Sequence, residues 1–219
     1  VFCVFAACQK TQKPEEKMVL RLNLASEPDY LDPALNSSVD GACLAINSFS
    51  GLYMYDDKGS LIPACAKSYT VSDDGLIYTF HVREGVRWTD GTPVTGKDFA
   101  FTYKALKEGN LDSPRLSNVE YVEEINLVDD MTVEFIFSEV NCAALNDLKL
   151  GWLPAHMYSP DFSDIMTNTL NTEPTVTNGP MILQEWVKDD HMTLVANPDY
   201  YLGEPRIDTL IIKPVPESS

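Results

Sequence analysis

A chain of 219 residues has room for one large or two small domains, and 44% hydrophobic content is enough for a sizeable core. Asp and Glu outnumber Lys and Arg by 33 to 16, a net charge of −17. That balance argues against a nucleic-acid backbone or an anionic lipid surface as the main partner, because both call for a basic footprint.

The first residues, VFCVFAACQKTQKPEEK, place seven small or apolar residues before Cys8 and a polar, charged run after it. The apolar stretch is far too short to span a bilayer. It resembles the end of a lipoprotein signal peptide, with Ala6 and Ala7 ahead of a cysteine that would carry diacylglycerol, although Phe5 stands where leucine is usual. Residues 1–8 therefore read as a signal remnant with Cys8 as the lipidation site, and residues 9–17 as a polar tether. Residues 19–24 alternate, with Leu20, Leu22 and Leu24 on one face, and predict a strand. The run SEPDYLDPALNSS breaks it, and Asp32-Pro33 initiates a turn. Residues 39–52 predict a helix with Val39, Cys43, Ile46 and Phe49 on one apolar face.

Residues 72–106 are consistent at every local level. Ser72-Asp73-Asp74-Gly75 is a turn signal, and Leu76, Tyr78, Phe80 and Val82 then alternate with Ile77, Thr79, His81 and Arg83, which predicts a strand with one core face. Glu84-Gly85 turns the chain, residues 86–88 extend it again, and Asp90-Gly91-Thr92-Pro93 closes the segment. Thr95 and Asp98 have the spacing of a capping box, followed by Phe99, Tyr103 and Leu106 on one helical face. Residues 107–118 read as a loop. Residues 121–128 and 131–137 flank Asp129-Asp130 and predict a hairpin. Residues 141–150 predict a short helix, residues 159–175 a polar loop, and residues 207–215 a strand. Trp88 and Trp186, the latter in phase with Ile182 and Gln184, each fall on the apolar phase of an extended segment and are expected in the core.

Chemistry is sparse. Cysteines fall at positions 3, 8, 43, 65 and 142 with no C-x-x-C spacing, so zinc and dithiol chemistry have no support, and Cys43 and Cys65 read as buried free thiols. No nucleophile elbow, dinucleotide loop, Walker lysine or H-E-x-x-H motif occurs. His81, His156 and His191 are scattered. Residues 56–59 and 73–75 suit turns better than calcium loops, because no downstream glutamate is placed to complete them. The residues thus predict no enzyme, no metal and no cofactor. A hydrolase using acidic residues, and a surface lipoprotein with a structural or signalling role, are the alternatives from other classes.

The run YTFHVREGVRWTDGTPVTGKDFAFTY resembles a signature of the peptide/nickel class of ABC-transporter solute-binding proteins, T-F-x-L-R-x-G-V-x-[FW]-x-D-G-x-P-[VL]-T-A-x-D-[VF], with Val82 for Leu and Gly96 for Ala. Leu31, Asp32 and Pro33, with Ser26 upstream, resemble that family's L-D-P loop at the mouth of the ligand cleft. Residues 50–69 resemble a further family segment, with Ser50 for Glu, Cys65 for Leu and Tyr69 for Trp. Residues 152–156 resemble its I-L-P-K-H step. The closing segment from Thr177 onward is similar to its G-T-G-P-Y run, with Thr177-Asn178-Gly179 nearest the oligopeptide-binding members and Met181 in the aromatic position.

This resemblance covers residues 18–217 and matches only the amino-terminal portion of the family pattern. It implies an α/β fold, a class II periplasmic-binding-protein-like lobe with a mixed sheet and an inserted α+β subdomain, the second lobe missing. Residues 18–56 and 175–219 would form the main subdomain and residues 57–174 the insertion. The implied role is the extracytoplasmic solute-binding component of an ABC importer: a monomer with a peptide ligand and permease subunits as partners, meeting the membrane only through its lipid anchor. A peptide in this family lies extended and is held by backbone hydrogen bonds, like an added strand. The resemblance points Ser37, Ser38, Val39, Arg115, Asn178 and Gly179 at the ligand. By the residues alone, Ser38 equally suits a helix N-cap, Arg115 a solvated loop charge and Gly179 a turn. Peptide length, side-chain preference, and the choice among peptide, nickel and sugar stay open.

Overall fold

The computed structural model describes residues 17–149 and 153–215. The expected lipidation site Cys8, nearly all of the tether, and Trp152 lie outside the described residues. In chain order the elements are β1 (Val19–Leu24), α1 (Val39–Ser48), β2 (Tyr53–Tyr55), β3 (Leu61–Pro63), β4 (Ala66–Val71), β5 (Ile77–Val82), α2 (Gly96–Glu108), β6 (Val122–Asp129), β7 (Thr132–Phe137), α3 (Ala144–Asp147), β8 (Met181–Val187), β9 (His191–Ala196) and β10 (Thr209–Pro214).

Among the described residues the strands form two four-stranded sheets and a two-stranded ribbon. The first sheet has the order β1-β10-β9-β8 and is mixed: β1 pairs parallel with β10, and the other pairs are antiparallel. The second, β4-β5-β7-β6, is antiparallel throughout. Helix α2 packs on β6 and β7, and α1 on β8.

The second sheet follows from local pattern. Phe80 and Val82 are fully buried, while Thr79 and His81, on either side of Phe80, keep some exposure. The capping box forms: Asp98 accepts from the Thr95 backbone N–H at 2.8 Å, and Thr95 Oγ1 accepts from Lys97 N–H at 3.3 Å. Two otherwise unpaired groups at the helix start are thereby satisfied. Phe99, Tyr103 and Leu106 then enter the large core with Phe135 and Phe137 of β7. Burying these side chains is the main driving force for the subdomain. The predicted hairpin β6–β7 forms, with its turn one residue later than expected, at Asp130-Met131, because Asp129 still pairs with Thr132.

Four expectations are corrected. Residues 86–88 form no strand; Trp88 N–H donates to Thr92 O at 2.8 Å within a tight turn, and a single bridge joins Arg87 to Pro93. Helix α1 stops at Ser48 instead of running to residue 52, because Ser48 O and the Ser50 N–H are bonded to Gly179 and Asn178. Its inner face is Gly41, Leu44 and Ser48, whereas Val39 is 86% exposed and Ile46 70%. Trp186 is half-buried: a bulge between Leu183 and Glu185 adds one residue, shifting its phase from Ile182 to Met181 and Leu183. Its indole N–H donates to Glu27 at 2.6 Å, and Lys188 lies over its ring at 3.3 Å. Cys65 is buried as expected, and burial pushes its thiol up to about 12; Cys43 is only half-buried, and Cys142 is exposed.

Candidate functional site

A cavity of about 380 Å³ opens where α1, β2 and several connecting loops converge, within the size range of ligand pockets. Its walls include Ala42, Ala45 and Ile46 of α1 and Phe49 just past its end, Tyr53, Met54 and Tyr55 of β2, and Pro33, Pro180, Tyr200, Arg115 and Lys149. The outward face of α1 is therefore not simply a solvated surface. It is the apolar floor of a concave site.

The loop before α1 is held rigidly. Asp32 is buried, and Oδ1 accepts from Ala34 N–H at 2.7 Å and Leu35 N–H at 3.2 Å, while Oδ2 accepts from Tyr158 OH at 3.2 Å. Loss of solvation outweighs these bonds and raises its carboxyl from 3.8 to about 6. The same burial, with Asp32 beside it, pushes the Tyr158 hydroxyl up. Ser113 then ties a second loop to this one: its hydroxyl donates to Ala34 O and accepts from Arg115 N–H at 3.1 Å. Pro33 and Arg115 are thus fixed on one rim.

The opposite wall is built from segments far apart in sequence. Asn178 acts as a side-chain clamp: Oδ1 accepts from Ser50 N–H at 2.9 Å, and Nδ2 donates to Ser50 O at 3.0 Å. Gly179 N–H donates to Ser48 O at 2.8 Å, and Gly179 O accepts from Asn197 Nδ2 at 2.9 Å. Ser50 Oγ is 2.7 Å from Tyr201 OH. A Cβ on Gly179 would lie 2.4 Å from the Ser48 carbonyl carbon and 2.7 Å from Phe49 N. Both are backbone atoms and cannot rotate away. Gly179→Ala is expected to cost about 1–3 kcal/mol, the range for overpacking a rigid site. Thermal unfolding of the variant checks this, and an unchanged melting temperature would rule out the close approach.

The six ligand-facing expectations are distributed as follows. Ser37 and Val39 are exposed at the start of α1. Ser38 caps that helix, its Oγ accepting from Gly41 N–H at 2.9 Å. Arg115 lines the cavity. Asn178 and Gly179 sit behind the wall with their polar groups bonded internally, next to Pro180 on the surface. Sequence reasoning missed Lys149, Tyr55 and Tyr200. Lys149 Nζ lies 4.4 Å from the Tyr55 ring centre, donates to Tyr55 OH at 3.2 Å and also bonds Asn146. Ile46 did carry a signal, as an apolar side chain on the side of α1 turned away from β8.

This mixed α/β arrangement, with a parallel outer strand closing the first sheet and an antiparallel α+β unit beside it, is a lobe of the class II periplasmic-binding type. Residues 60–219 match the family described as bacterial extracellular solute-binding proteins, family 5, middle region, and the chain belongs to that family. Among curated relatives, it is 29% identical over 202 residues to the periplasmic oligopeptide-binding protein OppA of Salmonella typhimurium, covering 85% of this chain and 37% of that one. Among solved structures, it resembles NikZ of Campylobacter jejuni in complex with Ni(L-His), with TM-score 0.84 and 29% identity, over 92% of this chain and 40% of NikZ. It resembles equally the oligopeptide-binding protein AppA of Bacillus subtilis in complex with a nonapeptide, with TM-score 0.84 and 25% identity, over 93% of this chain and 41% of AppA. The chain spans about a third of the length of the curated relatives it matches.

Proposed function

We propose that this chain contributes to an extracytoplasmic solute-binding component of an ABC importer, that its ligand is a peptide, and that it delivers the ligand to permease subunits without chemical turnover. The carrying observation is the cavity: an apolar and aromatic floor of ligand size, in a lobe that superposes on a peptide-bound relative. In this reading the exposed backbone of Ser37 and Val39 and the side chain of Arg115 face the ligand, Ser38 positions α1, and Asn178 and Gly179 hold the wall. Residues 18–56 and 175–219 form the main subdomain and residues 57–174 the insertion. A lipid on Cys8 would keep the protein at the membrane as a monomer.

Isothermal titration of the purified protein tests the ligand class, with a mixed tri- to pentapeptide pool in one arm and a nickel–histidine chelate in the other. Saturable heat with the peptides is expected. Saturation by the chelate alone would replace the peptide reading with a metal-chelate one, the ligand named for NikZ.

A further inference from the structure

The segment from Ala155 to Tyr158 touches three carboxylates that come from three separate parts of the chain. Asp98 Oδ1, at the start of α2, accepts from Ala155 N–H at 3.0 Å. Asp90 Oδ2, in the turn before α2, lies 2.7 Å from His156 Nε2. Asp32 Oδ2, in the loop before α1, accepts from Tyr158 OH at 3.2 Å. The chain that follows returns to that same loop, where Asn171 O accepts from Leu31 N–H at 2.8 Å. Residues 153–171 contain no strand and no helix longer than a single turn, so side chains do most of the holding. Within them Phe162 has φ +64°, a left-handed backbone that strains a bulky residue and persists only where the surroundings enforce it. Its ring and that of Tyr158 both pack on Phe101 of α2.

We propose that residues 153–171 form a strap whose grip on the cavity rim depends on pH, firm in acid and opening locally as the carboxylates beneath it ionise. Asp32 and Asp98 are both buried there. Burial raises the Asp32 carboxyl to about 6, against the bonds from Ala34, Tyr158 and Leu35. Burial likewise raises Asp98, against the N–H groups of Thr95 and Ala155, the Trp88 indole beside it and His156 nearby. Asp90 differs: burial pushes its carboxyl up, but Thr92 and His156 outweigh that and hold it below the usual range. It stays ionised in mild acid, where an imidazole that gains a proton grips it harder. The other titratable groups facing the cluster are Asp164 beside Tyr158, and the Cys65 thiol, itself near Arg83, beside Asp98. Among the described residues, no Lys or Arg forms an ion pair with Asp32, Asp90 or Asp98. All three contacts therefore shift the same way. Lifting the strap lets water reach Asp32 and Asp98, which favours their ionised forms. The closed state is thus fully favoured below about pH 4, and that advantage is lost as pH rises toward 6. Pro33, next to Asp32, lines the cavity, so the strap sets how firmly that rim is ordered, whatever the ligand.

Amide hydrogen exchange of the purified protein at about pH 5 and pH 7.5, corrected for intrinsic rates, tests the strap without any ligand. Protection of residues 153–171 and 31–36 is expected to fall about tenfold between the two. That is the change produced over this interval by a carboxyl near 3.8 when open and about 6 when closed. These amides should also exchange at least about tenfold faster than those of β5 and β7 at either pH, the mark of local opening as opposed to global unfolding. Asp32→Asn carries no charge to hydrate and should cut the pH change to about threefold or less, the remainder coming from Asp98 and His156. Tyr158→Phe leaves the ionised Asp32 with one donor fewer and should loosen the strap more at pH 7.5 than at pH 5. His156→Gln should loosen it more at pH 5. If strap and core amides exchange together at both pH values, or if the full pH change survives in a folded Asp32→Asn protein, the inference is overturned. Should Asp32→Asn fail to fold, Tyr158→Phe decides, and equal loosening at the two pH values overturns the inference.

Discussion

Trp88→Ala is expected to remove about 3–5 kcal/mol of stability, the usual cost of truncating a buried tryptophan. Trp88 is 1% exposed and belongs to the large cluster that joins the turn of residues 84–94 to α2 and the second sheet. Its main chain also closes that turn, donating to Thr92 O and accepting from Gly91 N–H, so the side chain anchors a loop as well as filling space. Domains typically have about 5–15 kcal/mol in total, so the variant loses about a fifth of its stability or more. With a urea slope near 2 kcal/mol/M, the midpoint should fall by about 2 M. Trp186→Ala is the control. Its ring is half-buried on the smaller cluster, and Lys188 and Glu27 hold it from the solvent side. The loss there should be clearly smaller. Equal losses at the two positions would refute the assignment of Trp88 alone to the main core.

The second large effect depends on pH. The Asp32 carboxyl is raised from 3.8 to about 6 by burial, so the folded state binds its proton more tightly than the unfolded chain. The stability contributed by the neutral form is fully present below about pH 4. It is lost as pH rises toward 6 and absent above that. A shift of about two units corresponds to about 3 kcal/mol. Asp32→Asn keeps an oxygen for the N–H groups of Ala34 and Leu35 and carries no charge at any pH. The variant should therefore gain about 3 kcal/mol on the parent between pH 4 and pH 7.5. Denaturant unfolding of both proteins at the two values measures this. A gap that does not widen with pH would show that the three hydrogen bonds already compensate the buried charge.

What the sequence reveals is local. The strand at Phe80 and Val82, the capping box of Thr95 and Asp98, and the β6–β7 hairpin each depend on residues within a few positions of one another. What it conceals depends on distant partners. The end of α1 is set by Asn178 and Gly179, which lie 128 residues beyond Ser50 in the case of Asn178. The face that α1 turns inward cannot be read from apolar spacing, because Ile46 and Phe49 belong to a cavity wall and Leu44 alone among the large residues meets the sheet core. Trp186 defeats period-two reasoning through a one-residue bulge. Of the cavity's two cations, Arg115 drew notice only through family resemblance. Lys149 has no sequence signal, since a lysine at the end of a short polar helix is ordinary.

The pairing of β1 with β10 sets the order of events when the chain is made. Met18 N–H bonds Asp208 across 190 residues, so β1 waits for a partner strand made long after it. At about 5–20 residues per second, the interval is roughly 10–40 s. The antiparallel hairpins and α2 need only nearby partners and can form within that time, whereas closing a long loop for a parallel pair is slow. Until then, Val19, Leu20 and Leu22, which remain partly exposed even in the finished fold, present an unpaired apolar edge to any other strand within reach. Assembly of the first sheet is therefore the late, association-prone stage of this protein's maturation, and β1 is the segment that a chaperone would have to shield.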